Sequence, residues 1–141
     1  MLRTLRAAVT PALRGQPTSV RKTANPKRVL IVEDDLDSVR SLSMLVADMG
    51  HKVEYAINGY VAVDIARRFR PDVVFLDLGL PGLDGFDVCS RIKSDPDFKD
   101  VRVIVITGYS QDEFRVRALA VGCDAHFVKP VEPALLEELL G

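Results

Sequence analysis

From residue 28 onward the chain alternates short runs of branched apolar residues with longer segments of helical period, and this alternation restricts it to very few folds. Arg28–Val32 is an apolar run closed by Glu33, Asp34 and Asp35, which reads as a buried strand. Val39, Leu42, Leu45, Val46 and Met49 then recur at helical spacing, with Gly50 placed to end the helix. Lys52–Ala56 alternates like a strand. Asn58 can cap a helix carrying Ala62, Ile65, Ala66 and Phe69, which Pro71 closes. Asp72–Leu76 is a third strand, followed by a loop holding Gly79, Pro81, Gly82 and Gly85. Phe86, Cys89 and Ile92 mark a third helix that stops near Pro96. Val101–Ile106 is the most apolar strand. A fourth helix over about Gln111–Val121 is expected to turn Phe114, Ala118, Leu119 and Val121 inward. Ala125–Val128 is a fifth strand, and Leu135, Leu136, Leu139 and Leu140 belong to a last helix. Strands joined through helices by short connections make right-handed crossovers, hence a parallel sheet covered on both faces.

Charge divides the chain differently. Residues 1–28 hold seven Arg/Lys and no acid, leaving 12 basic against 20 acidic residues beyond them, a net of −8. An acidic body argues against nucleic acid as a direct ligand and leaves a metal cation or a basic partner open. Residues 1–26 show no steady period and read as a disordered basic tail ahead of a body over 27–141; an Arg-rich transit peptide is the competing reading of Met1–Arg14. No run approaches a membrane span, and two cysteines, Cys89 and Cys123, are too few for a disulfide framework and suit a reducing compartment. The expected location is the cytoplasm.

In open parallel sheets, ligands bind beyond the carboxyl ends of the strands. Strand one is followed by Glu33, Asp34 and Asp35, strand three by Asp77, strand four by Thr107 and Gly108, strand five by Lys129 and Pro130. Strand two ends in Ala56–Ile57, with nothing reactive. Two carboxylates about 4 Å apart repel by roughly 4 kcal/mol at an effective dielectric near 20. A hard divalent cation removes that repulsion and takes oxygen ligands, so Glu33, Asp34, Asp77 and a carbonyl of the following loop suit Mg²⁺. Dipole-stabilised acids at a helix start would account for Asp34 or Asp35, not for Asp77 on a separate strand. A carboxylate beside Mg²⁺ can attack a phosphoryl group, and the product needs donors: Lys129 and the Thr107 hydroxyl. Asp77 is the best nucleophile, with Gly79 leaving space beside it. Lys129 has a plainer reading, as an ion-pair partner of Asp77 or Asp34.

Val29–Asp35, Val73–Gly85, Val103–Gly108 and Phe127–Pro130 together resemble the receiver domain of two-component response regulators, CheY-like, over about residues 27–141. The resemblance implies a flavodoxin-like doubly wound α/β fold with strand order 2-1-3-4-5. It makes Asp77 the phosphoacceptor for a histidine of a sensor or hybrid histidine kinase or of a phosphotransfer protein. It gives Mg²⁺ to Asp34, Asp77, the Gly79 carbonyl and, partly through water, Glu33. Thr107 becomes the switch hydroxyl, Lys129 the phosphoryl-contacting lysine, and Pro130 the residue after a cis peptide bond. The aromatic member of the switch is replaced by His126, and Gly79 stands where a larger side chain is frequent. The expectation is a phosphoacceptor signalling domain without an output domain, altering the surface of helix four, strand five and helix five, rather than an enzyme. An Mg²⁺-dependent phosphatase would need an acid where Gly79 stands; a docking module without chemistry would not need the full set Asp34, Asp77, Thr107 and Lys129.

Overall fold

A computed structural model describes residues 22–141. The basic segment read as a tail lies outside the described residues except for its last part, where the Thr23 N–H already donates to the Met49 carbonyl at 2.8 Å. Five strands, β1 (Arg28–Val32), β2 (Lys52–Ala56), β3 (Val73–Leu76), β4 (Arg102–Thr107) and β5 (Ala125–Val128), alternate with α1 (Leu36–Asp48), α2 (Gly59–Phe69), α3 (Gly85–Ser94), α4 (Asp112–Ala120) and α5 (Pro133–Leu140). All pairings are parallel, in the order β2-β1-β3-β4-β5, the expected flavodoxin-like arrangement.

Local chemistry sets the ends of these elements. Gly50 follows α1 at φ +99°, a left-handed conformation open to glycine at little cost. The Asn58 side chain caps α2 by accepting from the Val61 N–H at 2.9 Å. Arg70 closes α2 in the left-handed region at φ 57°, immediately before Pro71, and its N–H reaches the Ala66 carbonyl. The third and fourth strands each begin one residue later than the sequence suggested, because pairing starts where the register Val73↔Arg102 becomes available.

Strand residues alternate between two apolar layers. Val29, Ile31, Val73, Phe75, Ile104 and Ile106 face α1 and α5, where Val46, Met49, Leu136 and Leu140 complete a core. Leu30, Val32, Val74, Leu76, Val103 and Val105 face α2, α3 and α4 with Ala62, Ala66, Phe86 and Ile92. Alternation follows from the two-residue period of a strand, and burial on both faces is why β1, β3 and β4 read as unbroken apolar runs. Leu119 departs from expectation. It is 43 % exposed, because the stripe of α4 that meets the sheet runs through Phe114, Ala118 and Val121, about one helical turn apart. Cys89 and Cys123, too few for a disulfide framework, stand side by side, across α3 and the end of α4.

Candidate functional site

Sheet register brings the polar strand ends together. Val32 pairs with Leu76, so Glu33 and Asp77 leave the sheet at the same level. Thr107 pairs with Val128, which sets Lys129 one step beyond. Backbone bonds continue the ladder past the strands: Asp77 N–H to Val32 carbonyl at 3.0 Å, Glu33 N–H to Ala56 carbonyl at 3.0 Å, Lys129 N–H to Thr107 carbonyl at 2.9 Å. The functional side chains therefore project from fixed backbone.

Asp77 is the hub. Its Oδ1 accepts from the Gly79 N–H at 3.1 Å and the Thr107 hydroxyl at 3.0 Å, and its Oδ2 accepts from Lys129 Nζ at 2.9 Å. The Asp77 side chain is 13 % exposed, enough to be reached from outside. Lys129 Nζ also bonds Glu33 Oε1, so one ammonium bridges two carboxylates. The opposite Glu33 oxygen accepts from the N–H groups of Asp34 and Asp35 at 3.1 and 3.3 Å. Burial pushes the Asp77 carboxyl upward, but the Gly79 N–H and Lys129 outweigh it and hold it below the ordinary carboxylate value. Glu33 is held above its ordinary value, chiefly by burial and further by the facing Asp77 charge, despite Lys129. Burial would lower Lys129, yet its bonds to Glu33 and Asp77 carry it above the usual lysine value.

The remaining expected residues fall as follows. Asp34 sits at the rim, exposed and adjoining Glu33. No cluster of three acid, histidine or cysteine side chains is drawn together at metal-binding distance among the described residues. The donor chemistry nonetheless suits a hard cation: two carboxylates share a single ammonium, a third lies at the rim, and every side-chain donor is oxygen. An ion holding several waters needs few protein ligands. Thr107 is fully buried and already bonded to Asp77. A side chain at Gly108 would meet nothing within 4 Å, so the space beside Thr107 is open. The Lys129–Pro130 peptide is cis. His126 is half-buried on β5 opposite Val105, its Nε2 enclosed without a hydrogen-bond partner, and burial with the Arg115 charge holds its pKa below the ordinary histidine value.

One residue escaped the sequence reading. A Cβ added at Gly79 would lie 3.1 Å from the Tyr109 hydroxyl, so the Tyr109 ring lies over Gly79 at the mouth of the site. That ring stacks on Phe114 of α4 at 4.9 Å, and the Tyr109 N–H reaches Thr107 Oγ1 at 3.3 Å. The aromatic two residues after Thr107 was the only signal. Beside the cluster, a cleft of about 290 Å³ opens between α1 and the β5–α5 connection, walled by Leu42, Phe75 and Leu136 and bordered by Lys129 and Pro130.

A parallel sheet in this order, with acids after β1 and β3, a hydroxyl at the end of β4 and a lysine after β5, all along its carboxyl edge, defines a CheY-like phosphoacceptor signalling domain. The family model of the response regulator receiver domain matches residues 29–140. The polar-differentiation response regulator DivK of Brucella anthropi is 33 % identical over 117 residues, covering 81 % of this chain and 94 % of DivK. The response regulator PleD of Caulobacter vibrioides is 33 % identical over 109 residues, 77 % of this chain but only 24 % of PleD, so the chain matches a minor part of that relative. Among solved structures, the receiver domain of the sensor histidine kinase PA1611 from Pseudomonas aeruginosa, with magnesium coordinated in its active-site cleft, superimposes with a TM-score of 0.75. It is 27 % identical and covers 82 % of this chain and 95 % of its own. The chain belongs to the response regulator receiver family of two-component systems.

Proposed function

We propose that Asp77 is the phosphoacceptor. The observation carrying this is the convergence of three donors, Gly79 N–H, Thr107 Oγ1 and Lys129 Nζ, on one reachable carboxylate. In the step, an Asp77 oxygen forms a bond to phosphorus while the bond from phosphorus to the donor's imidazole nitrogen breaks. The nitrogen leaves with the electron pair and takes a proton from solvent. A lowered Asp77 pKa keeps the nucleophile ionised. Donors that hold the carboxylate now face the phosphoryl oxygens afterwards, and Lys129 offsets their charge. The donor is a histidine of a sensor or hybrid histidine kinase or of a phosphotransfer protein.

Asp34 and Asp77, with Glu33 and the Gly79 carbonyl, would hold Mg²⁺. When bound, Mg²⁺ supplies charge neutralisation at the phosphoryl oxygens. Lys129 gives up part of its contact with Glu33 as the new charge appears on Asp77. Thr107 connects this event to the rest of the molecule. Its hydroxyl bonds both Asp77 and the Tyr109 N–H, and Tyr109 leads through Phe114 into α4. The surface of α4, β5 and α5, with Val116, Leu119 and Val128 exposed, is the one that changes for a partner protein, and His126 lies within it. The domain signals by accepting phosphate rather than by turning over a substrate. Its location is the cytoplasm, in keeping with the lack, among the described residues, of a helix long and apolar enough to cross a membrane. Incubation with Mg²⁺ and acetyl phosphate is expected to add one phosphoryl mass, absent in Asp77→Asn; labelling that persists in that variant ends the assignment.

A further inference from the structure

Cys89 and Cys123 are 34 residues apart in sequence, with Cα atoms 6.2 Å apart, inside the range a disulfide spans. Cys89 lies on the inner face of α3, fully buried; Cys123 follows α4 and is 5 % exposed. Packing volume alone would be met by alanine or valine, whereas two thiols face each other. The thiol state is also accommodated, since Cys89 Sγ lies 4.0 Å from the Val121 carbonyl, within reach of a weak S–H donor. These sulfurs stand where the least embedded helix is attached. Among α4 residues only Ala118 is buried. The corner after α4 is held to α3 by Lys93, whose Nζ meets Asp124 at 3.0 Å and whose stem lies 3.1 Å from where a Cβ at Gly122 would sit. A covalent bond here would convert a packed and ion-paired corner into a fixed one, at the end of α4 away from Thr107 and Tyr109.

We propose that Cys89 and Cys123 form a reversible thiol–disulfide pair that peroxide closes, bolting the end of α4 to α3. The Cys123 sulfur, the more accessible one, attacks a peroxide oxygen as its thiolate. The O–O bond breaks, a sulfenic acid forms and the departing oxygen leaves as water. The Cys89 sulfur then attacks the sulfenic sulfur, the S–O bond breaks and a second water leaves with the Cys89 proton. The two thiols together lose two electrons, and one peroxide becomes two waters. A dithiol reopens the bond by exchange. In a reducing compartment, disulfides of this kind are transient and redox-sensing rather than structural. Its effect on signalling rests on the phosphoacceptor reading, because α4 carries the switch surface; formation of the bond does not.

The full chain, reduced and then exposed to hydrogen peroxide without any phosphodonor, is denatured, alkylated with iodoacetamide and weighed. The expected product is lighter by two hydrogens and takes no alkyl group, and dithiothreitol restores two alkylatable thiols. Cys89→Ala and Cys123→Ala each abolish that loss. Hydrogen exchange at Val121–Cys123 is expected to slow about tenfold when the bond closes. A peroxide-treated chain that still takes two alkyl groups, or that gains oxygen on separate cysteines, overturns the pair; unchanged exchange at the α4 corner overturns the bolt. Acetyl phosphate labelling is measured separately, so loss of Asp77 chemistry and loss of the thiol pair are read independently.

Discussion

Lys129 shows how one side chain serves two demands. Its ammonium lies between Glu33 and Asp77, the ion pair expected as its plainer reading, and under the proposed phosphotransfer the same ammonium would face the phosphoryl group. Sequence reasoning named Asp77 and Asp34 as partners; Glu33 takes the second place because its side chain turns under the ammonium while Asp34 stays at the rim. The convergence of Asp77, Thr107 and Lys129 is legible because Asp77 and Lys129 directly follow apolar strands and Thr107 ends one, so the sheet fixes where they emerge. Tyr109 is not, because its place over Gly79 depends on the turn of the intervening loop. His51, just ahead of β2, carries a measurable consequence of its own. It is 7 % exposed and its Nδ1 accepts the Lys27 N–H at 2.9 Å, so it must stay neutral to keep that bond. Burial, helped by the Lys27 charge, holds its pKa below the ordinary value. The unfolded chain therefore takes up the proton first, and stability, fully present above about pH 6.5, falls as pH drops towards the folded value. Urea midpoints from about pH 7.5 down to 5 are expected to decline with a slope that His51→Gln reduces. His126, depressed in the same direction, keeps the slope from vanishing.

At the scale of elements, helix and strand identities followed from period and caps, while the packing of the loop after Asp77 did not. Gly59 opens α2 so close to this loop that an added Cβ would sit 1.8 Å from the Leu83 carbonyl oxygen. At Gly85 the same atom would come within 2.7 Å of the Asp77 carbonyl. Neither glycine adopts a positive φ, so their smallness, invisible in a one-dimensional pattern, is what admits the loop. Gly59→Ala is expected to lower stability by at least about 2 kcal/mol, since backbone rather than a mobile side chain must yield. Gly108→Ala, pointing into open space, should stay within about 0.5 kcal/mol of the parent. Thermal unfolding of the two variants separates them; equal midpoints would contradict the close approach. The misjudged Leu119 belongs to this scale as well. Four apolar residues in a short helix do not fix its phase, and the sheet selects only those that fall on one stripe.

For the molecule as a whole, the sheet divides the apolar interior in two. Ile92 belongs to the layer under α3 and Leu136 to the layer under α5, and the two layers share strand backbones but no side chains. Ile92→Val is expected to destabilise by about 0.5–1.5 kcal/mol and Leu136→Ala by about 2–5 kcal/mol. The double variant should equal their sum to within roughly 0.5 kcal/mol, a condition that chemical denaturation of the four proteins checks. A larger discrepancy would mean that strain passes through the sheet. The order of strands was legible only through family resemblance, since periodicity yields alternation and handedness but not which strand lies at the centre.

A partition wall of this kind lets the two sides of the domain be redecorated separately. Residues on α2, α3 and α4 can be exchanged without regard to those on α1 and α5, with little penalty transmitted between them. Meanwhile the Asp77 carboxylate, mounted on the wall's own rim, belongs to neither side and stays in register with both.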